Sequence, residues 1–405
     1  MMGLMGLIAV MLLAACSPEE AQVVEPAAEP QEAEYVLPIA VSVSASAFRE
    51  SKNGRGTSRA WTPPDGYYLY DDAMLYGGSP SVLFRNFSSL ASKDIDAFFT
   101  LSNEASPLRA HLKYNKEKKQ WNFTLFKVAP DEIASGTYYV YGYIPREAAA
   151  NLTVVPTPTY SSGTVLTLQE MKTVGYDACV VIGAKNGYDR DHDGNVAQTE
   201  RLRAGEFAFD IQTGKDASEQ PYDNFLFLLF DHLCAAVQFR MRIDEEYDRL
   251  RTVKVKELHL QTGSDTEPSK RTNVSVTLIA NTTGANPIAD VTYTPTTTTD
   301  TGNNIFTSKD GVTLTTNYSD NCFLTHVMPQ DVSTLVLTWT YDIYDKKGNL
   351  VRKDSRATNT IQLRKVLSGS AILERGTRYT INLTVKPTYL YVMSDPDLEN
   401  PTVEY

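Results

Sequence analysis

The chain has 405 residues, a net charge of -11, 21% charged and 10% aromatic residues. That is too apolar for a disordered polymer and long enough for roughly two to three ordinary domains, of which we expect two. The negative balance excludes a nucleic-acid groove, which needs clustered positive surface, and the 23 tyrosines favour strands, so the expected class is all-β.

Gly3 to Ala15 is an uncharged apolar run closed by small residues. It is too short to span a bilayer as a helix and reads as a cleaved export signal over residues 1–15. Leu13-Ala14-Ala15-Cys16 resembles the lipobox of bacterial lipoproteins. The resemblance implies cleavage before Cys16, acylation of that cysteine with fatty acids of the palmitate type, and a place at the cell outer membrane. Met1 to Ala15 carries no Lys or Arg, and the alternative is an ordinary secretory signal with a chance cysteine. Residues 16–34 follow as a tether: Ser17 to Glu34 holds six glutamates, three prolines and no basic residue, and cannot bury enough apolar surface to offset its ordering entropy. Fully extended it would reach roughly 60 Å.

A first domain is expected over 35–217. Val36, Leu37, Ile39, Val41 and Val43 mark an extended segment running to Phe48. From Phe48 to Trp61 there are four basic residues, two glycines and no apolar periodicity, which predicts an exposed loop open to an arginine-specific protease. Strand-like runs follow around Tyr67–Tyr70, Trp121–Phe126 and Tyr138–Ile144, with a short helix over Lys93–Ser102.

Asp189-Arg190-Asp191-His192-Asp193-Gly194-Asn195-Val196-Ala197-Gln198-Thr199-Glu200 fits the twelve-residue calcium loop D-x-D-x-D-G-x5-E at every defining place. Asp189, Asp191, Asp193 and Glu200 would bind Ca2+ through carboxylates, Asn195 through its backbone carbonyl, and Ala197 through a water. The flanks lack long amphipathic helices, so the expected site is structural, without the paired helices of a sensor, and weak, with a Kd of roughly 0.1–1 mM. The alternative is a solvated acidic loop with Asx turns.

A second domain is expected over 218–405. Phe225 to Phe230 is continuously apolar. Val237, Phe239, Met241 and Ile243 then alternate with Gln238, Arg240 and Arg242, the period of a strand. Val253–Leu260 and Val274–Ile279 repeat the pattern less cleanly. Leu335, Leu337, Trp339, Tyr341 and Ile343 repeat it best, closed by a Lys346-Lys347-Gly348-Asn349 turn, and Tyr379, Ile381, Leu383 and Val385 come last. Thr282–Asn304 reads as a long loop. Many short alternating strands predict tandem antiparallel β-sandwiches. Cys179, Cys234 and Cys322 are an odd set beside apolar residues, read as buried free thiols, with at most one disulfide among them.

Three pieces together resemble the fimbrillin family, the pilus subunits of Bacteroidales. They are the lipobox with its tether and arginine-rich loop, Phe230-Asp231-His232-Leu233-Cys234-Ala235-Ala236-Val237-Gln238-Phe239, and the C-terminal run from Pro387 to Pro401. The resemblance implies two transthyretin-like β-sandwiches, a structural, non-enzymatic role in a surface fimbria, and adhesion as the outcome. It further implies arginine-specific cleavage, with Arg59 leading and Arg55 and Arg49 as alternatives. Loss of Val36–Phe48 would then let another subunit's strand add at the bared edge, with Thr388–Tyr405 as the donor. Pro396 and Pro401 count against that donor because each lacks a ladder N–H. The alternative to exchange is a first strand that stays in its sheet.

His111, His192, His232, His259 and His326 are scattered, without metal-ligand spacing, and read as surface or capped residues. No G-x-S-x-G, phosphate-cradling loop or Cys-His arrangement is visible, although a pair of glycosidase carboxylates can meet in space from any spacing. The other non-enzymatic reading is a surface glycan-binding lipoprotein, with Trp61, Tyr67, Tyr68, Tyr70 and Tyr76 as a stacking platform.

Overall fold

A computed structural model describes residues 34–45, 49–52, 55–56, 67–68, 96–104, 107–115, 120–126, 133–186, 202–213, 224–263, 269–280, 287–318, 322–329, 334–366 and 373–386. The described chain is almost wholly β, in two sandwich-like cores. Among these residues no helix is long and apolar enough to cross a membrane.

The first core is built on strands β1 (Glu34–Ala45), β5 (Asp96–Ser102), β6 (Pro107–Asn115), β7 (Gln120–Phe126), β8 (Gly136–Ile144), β11 (Cys179–Asn186), β13 (Ala208–Ile211) and β14 (Asn224–His232). Two short strands, β2 (Arg49–Lys52) and β3 (Arg55–Gly56), follow β1; β4 (Tyr67–Tyr68) pairs with β12 (Leu202–Arg203). The large sheet runs β11-β14-β1-β7-β6-β5-β8-β13, and β11 also pairs with β8. That last pairing, Cys179 with Ile144 and Val180 with Tyr143, closes seven strands into a ring, which leaves no free ladder edge where it is complete.

Against this ring lies a four-stranded sheet whose order is β18-β17-β10-β9: β9 is Asn151–Pro156, β10 Gly163–Met171, β17 Lys270–Ile279 and β18 Ile288–Thr299. Leu166, Leu168, Val274, Val276 and Leu278 share one buried cluster with Tyr141, Tyr143, Val181, Leu228 and Phe230. Tyr141 is wholly buried, stacks on Phe207 at 4.8 Å between centroids and donates its hydroxyl to the Tyr160 carbonyl.

The second core packs two sheets. One is β20 (Cys322–Val327), β15 (Ala235–Ile243) and β23 (Thr377–Val385), extended by β2 and β3; the other is β19 (Asn303–Thr313), β16 (Arg251–Thr262), β21 (Thr334–Asp345) and β22 (Leu350–Gln362). The alternation read at Val237–Ile243, Leu335–Ile343 and Tyr379–Val385 puts its apolar members into this core, where Trp339 stacks on Tyr341 at 4.1 Å. At the turn after β21, Asp345 accepts from the backbone of Lys347 and Asn349, and Gly348 takes φ +87, the left-handed region. Two short helices, α1 (Glu245–Leu250) and α2 (Leu363–Val366), sit between strands; Asp244 caps α1 by accepting from Glu246 N.

Pairing is antiparallel except at β1–β14, β15–β23 and β2–β23. The chain passes from the first core to the second at Leu233–Ala235, between β14 and β15, and then returns: the β17–β18 hairpin leaves β16 and pairs with β10. Thr282–Asn304 is therefore corrected from loop to strand over most of its length. Threonine is β-branched and suits a pleated surface, and β18 is mostly exposed, so no apolar alternation marks it. Lys93–Ser102 is likewise corrected: Asp96–Ser102 is β5, where cross-strand pairing with β6 and β8 outweighs local helical pattern.

Two features hold the returning hairpin. Gly163 opens β10 at φ +129, where an added Cβ would lie 2.3 Å from the Leu278 carbonyl oxygen of β17. Asp300, buried just after β18, accepts from Thr173 N, Thr173 Oγ1 and Gly302 N. Asp300→Ala leaves those three donors without their acceptor and should lower stability in urea by on the order of 3 kcal/mol; an unchanged midpoint would show that the hairpin is held otherwise.

Candidate functional site

The site begins with the continuous apolar run of β14. Leu226, Leu228, Leu229 and Phe230 are all buried, so both faces of the strand are covered, which is why the run does not alternate. β1 fills the place between β14 and β7. It runs parallel to β14 through seven register pairs, from Ile39 opposite Asn224 to Ala45 opposite Phe230. Its antiparallel ladder to β7 covers Glu34–Val36 and Ala40–Val41, with the break between Val36 and Ala40. Pro38 falls in that break and has no N–H to give.

One strand thus satisfies two edges at once. Without β1 the ring opens, and β14 and β7 each present unpaired N–H and C=O groups beside buried leucines. An extended segment from another chain can satisfy both.

The segment after β1 does not run free. Arg49 pairs with Thr377 and Glu50 with Arg378, in parallel with β23, while Ser51 and Lys52 pair with Gly56 and Arg55. The expected single exposed loop from Phe48 to Trp61 is corrected at Arg49–Lys52 and Arg55–Gly56. Local β-propensity there is poor, and the open edge of β23 supplies the pairing that the sequence does not advertise. The leader is consequently tied to both cores, by β1 to the first and by β2 to the second.

Of the three candidate arginines, Arg49 and Arg55 lie in paired strands and Arg59 lies outside the described residues. Also outside are Cys16, the calcium-type residues Asp189, Asp191, Asp193, Asn195 and Glu200, the segment Thr388–Tyr405, and Trp61, Tyr70 and Tyr76. The elements on either side of the calcium-type loop are strands β11 and β12.

Sequence reasoning missed a buried polar cluster at the passage between the cores. Asp177, Cys179, His232 and His326 are 4%, 0%, 2% and 5% exposed. Reading His232 and His326 as surface or capped is therefore corrected to buried. Nothing local signals the cluster, since Asp177 and His232 stand 55 positions apart and meet only because Cys179 and His232 are register partners in β11 and β14.

His232 Nδ1 lies 2.8 Å from Asp177 Oδ1 and 3.2 Å from Cys179 Sγ; His326 Nε2 lies 3.9 Å from the other Asp177 oxygen. Burial alone would raise the Asp177 carboxyl, but the charges of His232 and His326 and the hydrogen bonds from His232 and Cys179 hold it below the usual carboxylate value. Burial pushes the Cys179 thiol well up, aided by the Asp177 charge. Burial likewise takes Cys234 up to about 12.

This is not the geometry of a nucleophilic triad. A relay needs the acid and the nucleophile on different ring nitrogens, whereas Asp177 and Cys179 share Nδ1, and a nucleophile needs access. The cluster instead fastens the chain crossing. Leu233 N donates to the Ala178 carbonyl, Gly376 N to the Cys234 carbonyl and Gly175 N to the His326 carbonyl, while Arg375 bonds Asp231 at 2.9 Å.

No protein-family profile matches the chain, and no curated protein matches it. Among solved structures it is similar to a candidate cell adhesion protein of Bacteroides fragilis NCTC 9343, at 13% identity and TM-score 0.37, covering 86% of this chain and 93% of that one. A second candidate cell adhesion protein, from Bacteroides uniformis ATCC 8492, gives 14% and 0.33 over 73% and 87% of the two chains. A fimbrial protein of Bacteroides vulgatus ATCC 8482 gives 14% and 0.29 over 72% and 88%. Likeness at this level assigns neither a family nor a function.

Val41 of β1 is paired on both sides, so Val41→Pro removes a ladder donor from the middle of the ring. The expected loss is about 1–3 kcal/mol of stability in urea; a variant as stable as the parent would mean that β1 contributes little to the first core.

Proposed function

We propose that the chain is a structural subunit of a cell-surface fibre of the fimbrial type, exported as an outer-membrane lipoprotein through Cys16 and serving adhesion. In this reading arginine-specific cleavage releases the leader, and a strand from a neighbouring subunit takes the place of β1. The observation that carries it is the position of β1, register-paired to β14 and β7 at once and followed directly by an arginine-bearing segment.

A protease must draw its substrate into its own extended cleft, so Arg49 and Arg55, already held in ladders, would first have to leave them; Arg59 leads in this reading on its sequence, Ser58-Arg59-Ala60-Trp61. A cut there releases β1, β2 and β3 together and bares the edge of β23 as well as the slot between β7 and β14. The donor is Thr388–Tyr405, the segment that continues beyond β23.

Brief trypsin treatment of the purified chain, with the new N-terminus sequenced and the product run on a gel without boiling, tests the proposal. The expected result is a cut after Arg59 followed by SDS-resistant ladders, abolished by Arg59→Ala. A cleaved product that stays monomeric would overturn strand exchange.

Calcium binding by Asp189, Asp191, Asp193, Asn195 and Glu200 belongs to the same reading and rests on the sequence pattern, as a structural site suited to weak extracellular affinity. Calcium at several millimolar should raise the melting temperature of the parent and leave that of Asp189→Ala unchanged. No shift in the parent would discard the site.

A further inference from the structure

The buried cluster has a composition that hydrogen bonding alone does not require. Asp177, Cys179 and His232 each turn one donor atom to a common point, and the three atoms lie within 4.8 Å of one another. The fold builds the convergence from two arms. Asp177 lies two residues before Cys179, the first residue of β11, and its carboxylate turns back to within 3.7 Å of the Cys179 sulfur, while His232 faces both as the register partner of Cys179.

We propose that Asp177, Cys179 and His232 form a site for a zinc-class divalent transition metal, which clamps the passage between the two cores. The donors are one carboxylate oxygen, one imidazole nitrogen and one sulfur, a borderline-soft set that suits zinc and is foreign to calcium or magnesium. Zinc bonds of about 2.0–2.3 Å in tetrahedral array place ligand atoms roughly 3.3–3.6 Å apart. The separations here are 3.7 Å for sulfur to oxygen, 3.2 Å for sulfur to nitrogen and 2.8 Å for nitrogen to oxygen. The first already fits, and the others widen by about half an ångström or less.

Charge gives the second argument. A carboxylate and a thiolate buried together are costly, and a dication between them brings the sum to zero. On binding, the Cys179 S–H bond breaks, its proton leaves to solvent and the sulfur electron pair bonds the metal. His326 lies toward the carboxylate oxygen that the other two do not use, where it orients Asp177 as a neighbour of the metal rather than a ligand. The clamp would join β11 to β14 one residue before the chain crosses at Leu233, and through His326 would bring in β20.

The test uses the full chain expressed with zinc, or with cobalt in its place, because a buried site fills most readily as the protein folds. Metal content per chain and the near-ultraviolet thiolate-to-cobalt absorption are read on the parent, Cys179→Ser, Cys234→Ser and His326→Gln. The expected result is stoichiometric metal with the thiolate band in the parent and in Cys234→Ser, loss of both in Cys179→Ser, and about 10–100-fold weaker affinity in His326→Gln. The band separates this site from the calcium-type loop, which has no sulfur. A parent chain without metal or band overturns the proposal whatever the variants do, and so does a band that survives Cys179→Ser.

Discussion

The two ladders of β1 are the interaction on which the rest of this fold depends. Backbone N–H and C=O groups must be paired when buried, and β14 is buried on both faces, so its edge toward β7 cannot stand open without wetting a leucine-rich core. β1 closes it, and in doing so completes the ring of seven strands. The same closure defines a vacancy in waiting. Whatever removes β1 creates a slot whose backbone register, Ile39–Ala45 along β14, specifies the length and extended form of any replacement.

The second constraint is the way the cores are tied together. The crossing at Leu233–Ala235 is pinned by His232 and Asp177, the returning β17–β18 hairpin is held by Asp300 and by the close approach at Gly163, and β2 binds the leader to β23. A subunit that gave up β1 would still keep the first two ties, because neither uses the leader. The ties between the cores are therefore independent of β1, a condition that the proposed strand exchange requires.

The sequence showed strands most clearly where burial is one-sided and the apolar alternation is long. Val237–Ile243, Leu335–Ile343 and Tyr379–Val385 each bury one face, and their alternation is plain. It misled where burial is absent or pairing is borrowed. β18 is exposed, so its threonines looked like a loop; Asp96–Ser102 became a strand only through its neighbours; Arg49–Lys52 has no strand signal and is recruited by β23. The Asp177, Cys179, His232 and His326 cluster was invisible because it joins the segment entering β11 to β14 and β20, which are remote in the chain. The slot itself was half legible: the first strand and its arginines stood out, but not that β14 would run parallel beside it.

Hydrogen exchange of the backbone amides before and after arginine-specific cleavage tests the central claim most directly. β7 and β14 should be protected in the intact chain, lose protection together when the leader departs while β16 and β21 keep theirs, and regain it on assembly. Unchanged protection of β7 and β14 in a cleaved, leader-free chain would contradict it.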